Sequence, residues 1–420
     1  MSSTLKHLFI TANSPGEVAG WLAPIVKALR RRNPRCRITV ILLPCPFATG
    51  SEERVLREDL GIDEIIPARR YLSLFFTDRA YWRDAALIHL GGDLMYSSAL
   101  LWRWGIPAWS YLWGRKWWDR FFQGYFIKNE NHLEWMAKHR LPLKKAILTG
   151  DLVVDDAFCH MEEYLQTHAP LPQDPHLISF LPGSRLIEIE RLSPLILKTA
   201  ALMLRARPEL RFQMIISPFL EPAKLVRALQ SPPRLPEVDG FTGRIVSFSS
   251  PETGQLDEYL VCDHVKIKLV RKHRLPRLAS SAMCVTIPGT KTAEAASLGV
   301  PELMILPLNC PDCLPYIGIL GLLDWIPGGR RLKGRILMRL VHNVSLLALP
   351  NILAKKQILP EIVDIITPEA AAEAALRLYG DPAALLRQKE EFARLYTPSR
   401  GASERILDAV EGYFREKRDP

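Results

Sequence analysis

Apolar and polar positions alternate along this chain in two recurring rhythms, short apolar runs and longer segments with a 3.6-residue period. Leu8–Ala12 reads as a strand, and the segment from Ala19 to Arg32 that follows places Leu22, Ile25, Val26 and Leu29 on one face of a helix. Arg37–Leu43 returns as a strand, as do Ala85–Leu90, Tyr125–Lys128 and Ala146–Thr149. A proline-rich polar stretch, His168 to Pro175, has the composition of a linker. Beyond it, Leu177–Leu181, Arg211–Ser217, Arg244–Ser247, Cys284–Ile287 and Glu302–Pro307 read as strands, with helices such as Ile189–Arg205 between them. From Pro368 the chain is helical and charged, ending in the segment from Ala402 to Lys417. Strand and helix in alternation predict an α/β protein of two Rossmann-like domains. The expected boundaries are 1–167, a linker at 168–175, 176–367, and terminal helices over 368–420.

A chain of 420 residues is long for one core, and 48% hydrophobic with 24% charged residues describes a globular protein. The 55 Lys and Arg against 45 Asp and Glu leave +10, which favours anionic partners. No nucleic-acid signature accompanies that charge, so nucleic acid is not expected as a partner. Seven scattered cysteines suit a reducing compartment, and the lone pair Cys310 and Cys313 lacks the further ligands a zinc site needs. The N-terminus has no signal-peptide pattern, which predicts a cytoplasmic protein.

Three segments carry the candidate chemistry. Leu181-Pro-Gly-Ser-Arg185 with Glu188 follows an apolar run and opens a helical pattern, so Gly183 and Ser184 fall where a strand's carboxyl end meets a helix N-terminus. Such a junction cradles phosphate. Gly289-Thr-Lys-Thr-Ala-Glu294 repeats the arrangement, with Gly289 and Thr290 at the turn, and Leu349-Pro-Asn351 running to Pro360-Glu361 is the third. Two phosphate turns facing one cleft suit a diphosphate.

In order and spacing these segments resemble those of lipid-A-disaccharide synthase, a membrane-surface glycosyltransferase family, and the resemblance extends over most of the chain. Near the N-terminus the family's Gly-Glu-Ala-Ser-Gly-Asp turn is matched by Gly16-Glu17-Val18-Ala19-Gly20-Trp21, which loses the final Asp. The family's loop with a catalytic Asp is paralleled loosely by Leu90-Gly91-Gly92-Asp93, and its aromatic stretch by Trp109 through Trp113 to Arg115. The donor half matches better than the acceptor half. The resemblance implies a GT-B architecture with two domains facing a cleft and terminal helices crossing back, exchanged between subunits in some members, which makes a homodimer a candidate assembly. It implies UDP-2,3-diacylglucosamine as donor, 2,3-diacylglucosamine 1-phosphate as acceptor, and a position on the inner face of the cytoplasmic membrane.

Sugar transfer from a nucleotide needs a group to stabilise the departing diphosphate and a base to deprotonate the acceptor. Arg185 suits the first task, since a guanidinium grips phosphate at two points, although a salt bridge to Glu188 is the plain alternative. Glu294, one turn into its helix, suits the ribose hydroxyls, and Asn351 and Glu361 belong to the segment that closes over the nucleotide in the resembled family. An Asn that caps a helix is the alternative for Asn351. Asp93 at the end of a strand is the first choice of base, with capping as its ordinary role, and Glu17 is the second. No acidic metal motif accompanies the donor segments, so a metal-independent reaction without a cofactor is expected.

Seven of the ten Trp residues lie between Trp102 and Trp135 among basic side chains, a composition suited either to a lipid headgroup boundary or to a core. Tyr316 to Pro327, including Trp325, followed by five Arg or Lys through Arg339, is too short an apolar run to span a bilayer and suits an anionic membrane surface. Lys266 to Arg277 reads as a basic segment facing lipid phosphate or solvent. Gly16, Gly20, Trp113, Arg115 and Trp325 are thus the acceptor and membrane candidates. Three competing readings are a transferase with another lipid acceptor, an isomerase of the UDP-N-acetylglucosamine 2-epimerase kind, and a non-catalytic nucleotide-sugar or lipid-binding protein.

Overall fold

The computed structural model describes residues 5–13, 17–44, 52–232, 238, 241–249, 256–309 and 346–417. Gly16, Cys310, Cys313, Trp325 and the apolar and basic stretch 316–339 lie outside these residues. The chain forms two compact units, one of 1–159 with 396–420 and one of 160–395.

The first unit holds seven strands: β1 His7–Ala12, β2 Arg37–Leu42, β3 Glu64–Ile66, β4 Ala85–His89, β5 Ala108–Tyr111, β6 Gly124–Ile127 and β7 Ala146–Leu148. Their order is β3-β2-β1-β4-β5-β6-β7 with every pairing parallel, the doubly wound arrangement whose order reverses between β1 and β4. β1 and β4 are buried throughout, as strands covered by helices on both faces must be. The segment Val18–Leu22 is a π-helical turn that leads into the helix Ala23–Arg32.

The C-terminal helix Ala402–Glu416 belongs to this first unit. Asp155 accepts hydrogen bonds from Gly401 N, Ser403 N and Ser403 Oγ at 2.6–2.7 Å, and Arg405 Nε donates to Thr149 O at 2.6 Å. Arg32 pairs with Glu404 and Asp408 on its outer side. The expected return of the chain is therefore made by this one helix. The helices Pro368–Tyr379 and Pro382–Tyr396 stay with the second unit, a correction to the 368–420 boundary: Ala371, Ala372, Ala375 and Leu378 are part of its core, and Glu302 N donates to Gln388 Oε1 at 2.8 Å.

The second unit contains β8 Asp174–Leu181, β9 Arg211–Ile215, β10 Arg244–Ser249, β11 Leu256–Cys262, β12 Val265–Val270, β13 Ser281–Thr286, β14 Glu302–Pro307 and β15 Glu361–Asp364. The order is β10-β11-β12-β9-β8-β13-β14-β15, parallel from β12 to β15 and closed on one side by the antiparallel β10-β11-β12 meander. β8 begins inside the expected linker. The basic stretch Lys266 to Arg277 is largely β12 and the start of the helix Arg274–Ala279, with Val265, Ile267 and Leu269 buried. Two of its six cations are paired locally, Lys268 with Asp257 at 2.5 Å and Arg271 with Glu258 at 2.9 Å, while Lys266 and Lys272 are exposed, and the strand corrects its reading as a helix.

At the start of β14 a carboxyl group sits in the core. Glu302 is fully buried and neither side-chain oxygen has a hydrogen-bond partner. Burial raises its pKa well above 4.5, which favours the acid form in the folded chain. An acid whose pKa is raised by folding stabilises the fold least at high pH, because the unfolded chain ionises first as pH rises. Glu302→Gln is expected to gain melting temperature relative to the native chain as pH is taken from about 5 to about 8. Thermal melts of both proteins across that range check this; a difference that shrinks with rising pH contradicts it.

Candidate functional site

All three motif segments fall within the second unit, and two direct contacts bring them together. β8 and β13 are neighbours, with Leu181 opposite Thr286. Four residues beyond each of these come Arg185 and Thr290, at the start of the helices Leu186–Ala206 and Thr290–Ser297. A side chain at Gly183 would place its first carbon 2.9 Å from Ile287 Cδ1, so the two turns touch. Thr292 Oγ1 donates to Gly289 O at 2.8 Å and accepts from Leu349 N at 3.1 Å, which joins the third segment to the second.

The first turn is already occupied by an anion from the chain itself. Glu188, 6% exposed, accepts from Ser184 N and Arg185 N at 2.8 Å with one oxygen and from Arg185 Nε and Nη2 at 2.8 and 2.5 Å with the other. Gly183, at φ 107°, admits this carboxylate because any Cβ there would lie 2.1 Å from Glu188 Oε2. The salt bridge named as the plain alternative for Arg185 is therefore present. The amides of Ser184 and Arg185 hold Glu188, and the guanidinium is fixed in orientation by it.

The second turn carries a similar pair. Glu294 is 6% exposed, and Lys291 Nζ donates to both of its oxygens at 2.8 and 2.7 Å. Gly289 is exposed and Thr290 half-buried at the helix start.

Asn351 is wholly buried and its amide is saturated: Nδ2 donates to Leu359 O and Glu361 Oε1, and Oδ1 accepts from Ile358 N and Leu359 N. Glu361 in turn accepts from Leu347 N and Ala348 N. These two side chains fold the 347–361 segment against the sheet, and neither one's bonding leaves the Asn351 amide a donor for a ligand. Asn351→Ala would strand several of these buried groups, and a loss of roughly 2–3 kcal/mol in stability is expected. Chemical denaturation checks it, a loss below about 0.5 kcal/mol being incompatible with this bonding.

In the first unit, the carboxyl ends of β1 and β4 carry Glu17 and Asp93. Glu17 Oε2 accepts from Asn13 N at 3.0 Å, and its carboxylate lies against Gly91 so closely that a Cβ there would be 1.9 Å from it. Asp93 is exposed and is the N-cap of the helix Leu94–Trp104, accepting from Met95 N at 2.8 Å through Oδ1. Gly20 is buried within the π-helical turn. Beneath Gly91 lies a group the sequence pattern did not single out: fully buried His89, with Nδ1 at 3.0 Å from Thr11 Oγ1 and 2.8 Å from Ser97 Oγ. Burial lowers its pKa to about 4, so the ring is neutral at neutral pH. Trp21, where the resembled family has Asp, packs edge-on to Tyr111 at 5.3 Å, with Lys128 over its ring. Lys128 pairs with Asp151 at 2.8 Å. A cavity of about 300 Å³ lined by Trp82, Pro107 and Phe414 opens at the amino ends of β4 and β5, the opposite edge from Glu17 and Asp93.

The tryptophan cluster divides. Trp104 and Trp109 are core, whereas Trp102, Trp113 and Trp117 are exposed, Trp102 and Trp117 by 73% and 76%. Trp113 stands edge-on to Trp135 and Arg115 is exposed. Beside the helix Leu94–Trp104 runs a 3-10 segment, Ala68–Phe76, held by Tyr71 Oη donating to Tyr96 O at 2.7 Å and Arg103 Nε donating to Phe75 O at 3.2 Å. Leu72 and Phe76 on it, and Met95 and Trp102 on the helix, are exposed. Among the described residues no helix is long and apolar enough to cross a membrane, and no group of His, Cys, Asp and Glu forms a metal cluster.

Sequence comparison places these segments in context. The chain is similar to lipid-A-disaccharide synthases. It is 25% identical to that of Methylobacillus flagellatus over 247 residues, 58% of this chain and 52% of the relative, and 29% identical to that of Burkholderia lata over 230 residues, 54% and 45%. It thus spans about half the length of the curated relatives it matches. No protein-family model matches the chain. Among solved structures, the fold is shared with the UDP complex of S. aureus MnaA, TM-score 0.57 at 13% identity over 98% of this chain and 97% of that one. It is shared also with the Neisseria meningitidis UDP-GlcNAc 2-epimerase bound to UDP-GlcNAc, TM-score 0.55 at 13% identity over 96% and 99%. These likenesses establish the GT-B architecture of two Rossmann-like domains.

Proposed function

We propose that the chain is a metal-independent glycosyltransferase that takes a sugar from a uridine diphosphate donor and delivers it to a lipid acceptor at a membrane surface. The specific reaction proposed is transfer of 2,3-diacylglucosamine from UDP to 2,3-diacylglucosamine 1-phosphate. The observation that carries the reading is the convergence of the three motif segments on the carboxyl ends of β8 and β13, in a chain similar to lipid-A-disaccharide synthases. In open α/β sheets, ligands bind in the crevice outside the carboxyl ends of the strands, which is that edge.

In this reading Arg185, oriented by Glu188, meets the diphosphate, and the turns at Gly183–Ser184 and Gly289–Thr290 bring helix N-termini toward the same charge. Glu294 receives the ribose hydroxyls. Asn351 and Glu361 act on the nucleotide by fixing the segment that borders Thr292. Asp93 is the base: its carboxylate is exposed at the end of β4 with one oxygen on a backbone amide, which suits it to take the acceptor's proton. Glu17 shapes the acceptor side by its contact with Gly91. Leu72, Phe76, Met95 and Trp102 form the apolar surface that meets the lipid boundary, with exposed Arg69, Arg70 and Arg115 for anionic headgroups.

Incubation of the protein in detergent with UDP-2,3-diacylglucosamine and the monosaccharide 1-phosphate is expected to release UDP and yield a disaccharide 1-phosphate by mass spectrometry. UDP-sugar consumed without UDP release favours the isomerase, and UDP bound without turnover on any lipid favours a binding protein. Asp93→Asn is expected to lower kcat by at least about 100-fold with the UDP affinity retained, whereas Glu17→Gln acts mainly on acceptor KM. Equal kcat for Asp93→Asn and the native enzyme removes the base assignment.

Replacement of Leu72, Phe76 and Trp102 together by Ser is expected to reduce co-sedimentation with vesicles containing anionic phospholipid, without change in soluble UDP binding. Undiminished sedimentation contradicts the membrane assignment of this face.

A further inference from the structure

Two cation–carboxylate pairs with the same spacing stand at the ends of neighbouring strands, Arg185 with Glu188 after β8 and Lys291 with Glu294 after β13. Each cation is neutralised by a carboxylate three residues along its own helix. A diphosphate brings two or more negative charges to this edge, so at least one pair has to exchange partners for the charge to be matched.

The two pairs differ in what an exchange would leave behind. Glu188 keeps the amides of Ser184 and Arg185 whatever the guanidinium does. Arg185 is held by two parallel bonds in a planar fork and is already pre-organised. Glu294 takes both of its side-chain contacts from Lys291, whose ammonium is a point charge on a flexible four-carbon stem. The side chains are only 16% and 8% exposed, so a released Glu294 carboxylate needs new donors in the same place. A ribose diol supplies two.

Building on the nucleotide-sugar reading, we propose that Lys291 is an exchangeable counter-ion that couples recognition of diphosphate to recognition of ribose. In the empty site its ammonium occupies Glu294. When a nucleoside diphosphate binds, the ammonium moves to the phosphates and Glu294 accepts from the two ribose hydroxyls. No bond is made or broken and no proton is transferred. A nucleoside alone has to displace Lys291 without offering it an anion, and pyrophosphate alone draws Lys291 away from a buried carboxylate left without donors. Neither half-ligand binds well by itself, and each favours the other.

Titration calorimetry with UDP, uridine and inorganic pyrophosphate on the full chain tests this. In the native protein, saturating pyrophosphate is expected to tighten uridine at least about fivefold, and uridine to tighten pyrophosphate by the same factor. Lys291→Met is expected to weaken UDP at least about tenfold while uridine binds as well as before or better. Equal losses for UDP and uridine in Lys291→Met, or independent binding of uridine and pyrophosphate to the native chain, overturn the proposal and leave Lys291 a buttress for Glu294. Failure of the native chain to bind UDP at all overturns the nucleotide-sugar reading and this proposal with it. The half-ligand experiment needs no variant, so a misfolded Lys291→Met does not shield the idea.

Discussion

The second unit's site depends on one pairing, β8 beside β13 with Leu181 opposite Thr286. Parallel neighbours about 4.8 Å apart deliver two chain segments to the same sheet edge in the same direction, so the turns that follow have to share the same space. Gly183 makes this possible by lacking a side chain toward both Ile287 and Glu188. Each turn then starts a helix, the first with its amides held by Glu188, and Thr292 extends the arrangement to Leu349. The three motifs are spread from Leu181 to Glu361 along the chain, but one strand register and one side-chain hydrogen bond suffice to assemble them.

Elements with continuous apolar runs were readable from the sequence: β1, β4, β8, β13 and β14 lie close to where the pattern placed them, because strands covered on both faces have little choice of residue. The misplaced elements are those whose pattern has a second reading. β5, Ala108–Tyr111, sits among tryptophans and basic residues that resemble a membrane boundary, and Trp109 is in fact 2% exposed. β12 alternates Lys with Val, Ile and Leu, the period-2 pattern of a strand with one exposed face, and its charge obscured that alternation. Its pairing with β9 also depends on a partner remote in sequence.

The candidate side chains show a sharper limit. Residue type and spacing placed Arg185, Gly289, Glu294 and Asn351 on one edge, but the pattern carries no information on burial. Glu188 and Lys291 were visible as charges on helices, and a Lys or Glu three residues from its opposite is ordinary on a solvated surface. Only their burial against the turns makes them part of a site. Asn351 shows the converse, since a residue suited by type to a ligand is fully bonded to its own loop.

In the first unit, the turn after Gly20 departs from the resembled family's pattern. Trp21 replaces the family's Asp in the turn after Gly20, and its ring lies against Tyr111 and under Lys128, which pairs with Asp151. An Asp at this position would add a second carboxylate near the one that Lys128 already neutralises, whereas the indole supplies a flat wall with no charge of its own. The turns at Gly183 and Gly289 keep their glycines and charged groups, while the first unit's turn carries a ring in place of a charge. On the proposed function, a charge exchanged for a ring in the first unit leaves the second unit's proposed nucleotide-holding groups unaltered, which is the pattern expected when the acceptor differs and the leaving group is the same.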